Sequence, residues 1–102
     1  MINSLEKAHG GFIMRAVITV TGSDKVGIIA ACSAECAKYG VNIVDISQTV
    51  MKEYFAMIML ADIDSINIPF ADFVDKMEKI GVDSDLSIHT MHEDIFNSMH
   101  SI

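Results

Sequence analysis

A two-layer α+β sandwich of βαββαβ order is the fold class that this 102-residue sequence predicts. Three observations predict it. Short β-branched, apolar stretches alternate with two longer stretches whose apolar residues recur every three or four positions. Each helical stretch lies between strand-like ones, and a short polar turn, Lys52-Glu53, joins the middle pair of strands. Gly40 and Gly81 stand where the two helices should stop.

Taken in order, residues 1–13 show no clear period and are broken by His9-Gly10-Gly11. They read as an N-terminal extension, with Met14 as the start of the domain at 14–92. Residues 15–20 (RAVITV) have strand composition. Residues 21–27 form a polar loop bracketed by Gly22 and Gly27. Residues 28–39 are rich in Ala and place Ile29, Cys32, Cys36 and Tyr39 on one helical face. A strand over 41–50 and a second over 54–63 flank the turn. Asp64-Ser65-Ile66-Asn67 breaks the pattern, and Pro69 suits the first turn of a helix with Phe70, Phe73, Val74, Met77 and Ile80 on its face. Residues 86–90 (LSIHT) alternate as a half-buried strand does. In the tail, 93–102, Ile95, Phe96 and Met99 fall on one side of a short helix, expected to cover sheet surface.

Two right-handed crossovers put both main helices on one face of a four-stranded antiparallel sheet, with the short C-terminal helix added. That is the ferredoxin-like architecture. Within it the 54–63 strand (YFAMIMLADI) is unusual, because both of its faces are apolar. A sheet covered by helices on one side only should alternate apolar and polar. Its second face therefore needs a cover, either the terminal helix or a second subunit. Together with the edge at 41–50, this predicts a homodimer formed by strand edges or sheet faces.

Composition bounds the function. Hydrophobic residues make up 51% and charged ones 21%, enough apolar material for a core. No apolar run approaches the ~20 residues of a membrane span, and the first residues lack the apolar centre of a secretory signal. With two cysteines and no disulfide pattern, a reducing cytoplasm is expected. A net charge of −7 argues against nucleic acid, and the basic residues look scattered along the chain.

Chemical motifs are few. The Gly22–Gly27 loop opens a helix, so backbone N–H groups and the positive dipole end face an anionic ligand group. An Asp-capped turn accounts for the same residues, and neither phosphate-loop pattern is present. Cys32 and Cys36 fall on the apolar stripe and read as small core residues. His89, His92 and His100, with Glu93 and Asp94, form a loose group without metal-ligand spacing, so no metal or cofactor is expected. No nucleophile has a base in a matching motif. A phosphate-hydrolysing use of this fold would want an Arg in the loop, which offers only Lys25. The sequence therefore suggests a binding protein and not an enzyme.

The order Asp24-Lys25-Val26-Gly27-Ile28-Ile29, then Tyr39-Gly40-Val41-Asn42-Ile43, then Asp45-Ile46-Ser47-Gln48-Thr49 and Glu53-Tyr54-Phe55-Ala56-Met57, resembles the ACT domain. It is similar in particular to the small stand-alone ACT proteins of bacteria and archaea. Val26 stands where the pattern usually has Pro, and Asp24 where some amino-acid binders have Asn. The resemblance implies a regulatory module that binds an amino acid or similar metabolite between paired domains. Carried over, it assigns Asp24, Gly27 and Asn42 as ligand contacts, with Ile28, Val41 and Ile43 lining the site. A dimerisation or protein-interaction module without a small ligand is the alternative.

Overall fold

In the computed structural model, which describes residues 14–23 and 26–100, the elements run β1 (Arg15–Ser23), α1 (Ile28–Lys38), β2 (Asn42–Met51), β3 (Tyr54–Asp62), α2 (Phe70–Ser84), β4 (Leu86–His92) and α3 (Glu93–His100). The strands form one antiparallel sheet in the order β2-β3-β1-β4. The ferredoxin-like expectation holds. The sheet's centre is β3 against β1, with Ile18 opposite Met59 and Val20 opposite Met57.

Alternation along these strands decides the two layers. Ala16, Ile18 and Val20, Phe55, Met57, Met59 and Ala61, and Leu86 and Ile88 turn to one side and are buried under the helices. From α1 the buried row is Ile28, Cys32 and Cys36, with Ile29 and Tyr39 beside it. From α2 it is Phe73, Met77 and Gly81. Phe73 meets the Tyr39 ring edge-on at 6.4 Å and Phe70 at 6.5 Å, tying the end of α1 to the start of α2. The Asn67 N–H donates to the Tyr39 carbonyl at 3.0 Å, which holds the β3–α2 connection against that same end.

Two glycines read alike in the sequence and differ in the structure. Gly40 has φ 74°, the left-handed turn after a helix, and an added Cβ would run into the Ser65 carbonyl. Gly81 does not stop α2, which continues to Ser84 and is capped by left-handed Asp85. Its role is close packing: a Cβ there would lie 2.7 Å from the Leu86 carbonyl oxygen. Helix and strand are joined by the single residue Asp85, so β4 doubles back directly against Gly81.

The second face of the sheet is covered at one end. Arg15 lies on that face, and its Nε donates to Glu93 Oε1 of α3 at 2.9 Å. The same helix packs against β1 and β4. Val17, flanked in register by Leu60 and Met91, is only 4% exposed there. Of the three tail side chains expected to cover the sheet, Phe96 is half-buried, whereas Ile95 and Met99 remain exposed. The helix starts on the residue after β4 and is eight residues long, so its direction is set by the strand and only part of its apolar side reaches the sheet. Toward the β2–β3 hairpin the face stays open, with Ile58, Tyr54 and Met51 exposed.

Candidate ligand-binding site

The loop that leads into α1 carries the first candidate residues. Val26 is fully exposed, and Gly27 follows as the N-cap with φ 86°. Its carbonyl accepts the first helical bond, from the Ala31 N–H at 3.0 Å. Gly27 itself supplies no side-chain cap, and the first turn holds no acidic residue. A Cβ on Gly27 would meet nothing within 4 Å, so this glycine answers to backbone conformation and not to crowding. Among the described residues, nothing caps the first N–H donors of α1. Asp24 and Lys25 lie outside the described residues.

The remaining candidates divide by burial. Ile28 and Val41 are each 4% exposed and belong to the core, where they anchor the first turn of α1 and the entry to β2. Ile43 is half-buried against that core. Asn42 is exposed at the first position of β2, opposite Asp62. Gly27 and Asn42 therefore sit at opposite ends of α1. Eleven helical residues span about 16 Å at 1.5 Å per residue. A single chain does not bring these two residues to one small ligand.

Two features were not anticipated from residue order. Lys38 and Lys76 place their ammonium groups 5.4 and 5.7 Å from the Tyr39 ring, so the basic residues are less scattered in space than along the chain. Lys79 lines the same α1–α2 groove of about 270 Å³, but Glu35 and Asp83 line it too, and Lys79 pairs with Asp83 at 3.3 Å. The mixed charges leave no anion site there. A second depression of about 220 Å³ lies on the open sheet face beside the hairpin, walled by Thr21, Thr49, Met51, Tyr54 and Ala56. The exposure of β2, whose every residue but Ile43 is solvent-exposed, accords with the edge expected at 41–50.

Other chemistry is poorly supported. Burial pushes the Cys32 thiol from 9.0 up to about 11. Burial raises Cys36 to about 12, with smaller contributions from Cys32 and Glu35. Both stay protonated and inaccessible at neutral pH, the opposite of a nucleophilic cysteine. His89 and His92 are on opposite faces of β4, with His92 stacked on Phe70 at 4.1 Å. Among the described residues no group of three or more His, Cys, Asp or Glu is placed to hold a metal. None of the described helices is long and apolar enough to cross a membrane.

The sequence model of the ACT domain matches residues 14–89. This chain belongs to the ACT domain family. A UPF0237 protein of Listeria monocytogenes is 45% identical over 89 residues, a match covering 87% of this chain and all of that one. A UPF0237 protein of Methanocaldococcus jannaschii is 44% identical over 88 residues, covering 86% and 98%. Among solved structures, an ACT domain protein from Streptococcus pneumoniae superposes with a TM-score of 0.71 at 39% identity, covering 83% of this chain and 96% of that one. ACT domains are regulatory ligand-binding modules. In this ACT domain the loop ahead of α1 and the start of β2 are the segments that the family resemblance singled out, and their described residues Val26, Gly27 and Asn42 are exposed.

Proposed function

We propose that this ACT protein is a cytoplasmic, non-catalytic sensor that binds an amino acid or similar small metabolite as a homodimer. The observation that carries this reading is the α1 N-terminus, where left-handed Gly27 leads into first-turn N–H groups that no described side chain caps. An α-amino acid suits it chemically. Its carboxylate would take the N–H groups, and its ammonium would be met by Asp24 or Asn42, the latter able both to donate and to accept. Because α1, a helix of eleven residues and about 16 Å long, separates Gly27 from Asn42, a ligand touching both would lie between two copies. The pair then comes from Gly27 of one protomer and Asn42 of its partner.

A second reading is favoured by the exposure of β2. An interaction module without small ligand would show the same apolar edge, and its assembly surface would be its whole function. Thermal melts against a panel of amino acids, purines and other metabolites separate the two. A ligand at a hundred times its dissociation constant stabilises a sensor by about 2.7 kcal/mol. For a domain of this size that raises the midpoint by roughly 10 °C or more. A flat response across the panel favours the interaction module.

A further inference from the structure

We infer that the bare β2–β3 half of the second sheet face is a slot for one helix of another protein, amphipathic and carrying Lys or Arg beside its apolar stripe. The inference goes beyond the sensor reading and stands without it, since it involves neither Gly27 nor Asn42.

The layering of the fold identifies the slot. On the first face two helices share the four strands, α1 packing against β2 and α2 against β4. On the second face α3 packs against β1 and β4, and so lies behind α2. Among the described residues no helix lies behind α1. Exposure follows that division. Near α3, Val17 is buried and Leu60 half-buried, whereas Ile58, Tyr54 and Met51 are 46%, 61% and 67% exposed. The same side of the sheet carries exposed Ile95 and Met99 on α3. An apolar patch of this extent with a polar rim marks an interaction surface.

A helix fits the dimensions. Strands β2 and β3, of ten and nine residues, run about 30 Å, which accommodates four helical turns of about 21 Å. Ala56 lies between Tyr54 and Ile58 along β3 and between Thr21 and Thr49 across the sheet. Its small side chain leaves the depression of about 220 Å³ there. One apolar side chain of a docked helix would seat in it as an anchor.

Charge decides whose helix it is. Asp45 and Asp62 stand on this face, opposite Leu60 and Arg15. The first turn of α3 adds Glu93 and Asp94. Arg15 is the cation among them, and Glu93 already holds it at 2.9 Å. On the hairpin turn Lys52 and Glu53 offset each other. The rim is therefore acidic, in a chain of net charge −7, and calls for a basic partner. A second copy does not supply one. The apolar sides of α1 and α2 are spent on the core, and α3 would bring Glu93 and Asp94 to a rim that is already acidic.

The probe is a dye-labelled peptide of Leu and Lys with its leucines in one helical stripe, titrated into the full chain beside a Leu/Glu peptide of the same pattern. The Leu/Lys peptide should bind one to one and more weakly at high salt, and the Leu/Glu peptide should not bind. Amide shifts on the wild type should center on Thr49, Ala56 and Ile58. Ile58→Lys, with circular dichroism confirming that it is folded, should weaken binding about tenfold, and Asp45→Asn about twofold to fivefold. Absence of binding, equal binding of both peptides, or shifts confined to α1 and α2 would overturn the proposal. So would a peptide-free dimer that Ile58→Lys dissociates, because a second copy would then fill the slot. The metabolite melts are read at Gly27 and Asn42, so the sensor reading stands or falls separately.

Discussion

Replacing Gly81 by Ala should destabilise the domain, although the substitution sits in a helix interior and improves helix propensity. The favourable term is about 1 kcal/mol, the usual difference between Ala and Gly inside a helix. Against it stands crowding: the new Cβ would lie 2.7 Å from the Leu86 carbonyl oxygen and 3.0 Å from Ile88 Cγ1. The first of these is backbone, tethered to α2 through Asp85 alone, so it cannot rotate away as a side-chain tip would. Overpacking of this kind costs about 1–3 kcal/mol, and contact with a rigid strand belongs at the upper end. The net expectation is a loss of about 1–2 kcal/mol, read as a lower urea midpoint at unchanged m-value. In a thermal melt the drop should be about 4–8 °C for each kcal/mol. An unchanged or higher midpoint would mean that β4 does not press on Gly81, and the close α2–β4 packing described above would be wrong.

Other expectations concern the site, the tail and the core. Gly27→Ala should cost about 1 kcal/mol because φ 86° is unfavourable with a Cβ present, whereas Gly27→Asn, which tolerates that conformation, should melt near the wild type. Deleting residues 93–102 removes the Arg15–Glu93 bridge and uncovers Val17. The bridge is partly exposed and contributes under about 1 kcal/mol, so most of an expected loss of about 2 kcal/mol comes from apolar surface; an identical melting midpoint would show that α3 covers nothing of consequence. Cys32 and Cys36 should resist thiol reagents until the protein unfolds. Their folded pKa values, about 11 and about 12, lie above the ordinary 9.0, so their contribution to stability is complete below pH 9 and is lost as pH rises through 11 and 12. Reaction of the native thiols at pH 8, at a rate insensitive to denaturant, would contradict their burial.

Most of the fold was legible because two periods, of two residues and of about three and a half, locate its elements, and the glycine after α1 is a true stop. Gly81 was misread because a helix-ending glycine and a glycine placed for close packing are the same letter; only the one-residue Asp85 turn, which folds β4 back, tells them apart. The two-faced apolar character of β3 was legible as well, and Tyr54 and Ile58 stay exposed on its second face. The edge expected at 41–50 is the edge strand β2, although NIVDISQTVM shows no alternation that marks an edge strand by itself. Gly27 was legible as the residue opening α1. Its distance from Asn42 was implicit in the length of the helix between them, and it changes the meaning of the pair from one pocket to two contributions across a pair of chains.

The central claim, ligand sensing at the α1 N-terminus together with Asn42, is tested most directly by the ligand-induced shift in melting temperature of the wild type set beside those of Asp24→Ala and Asn42→Ala. If Asp24 only caps α1, its loss should lower stability by about 1 kcal/mol with or without metabolite. The account predicts instead that one amino acid or related metabolite raises the wild-type midpoint, and that each variant loses that rise while keeping a folded baseline. Full ligand stabilisation retained in both variants would place the site elsewhere and contradict the account.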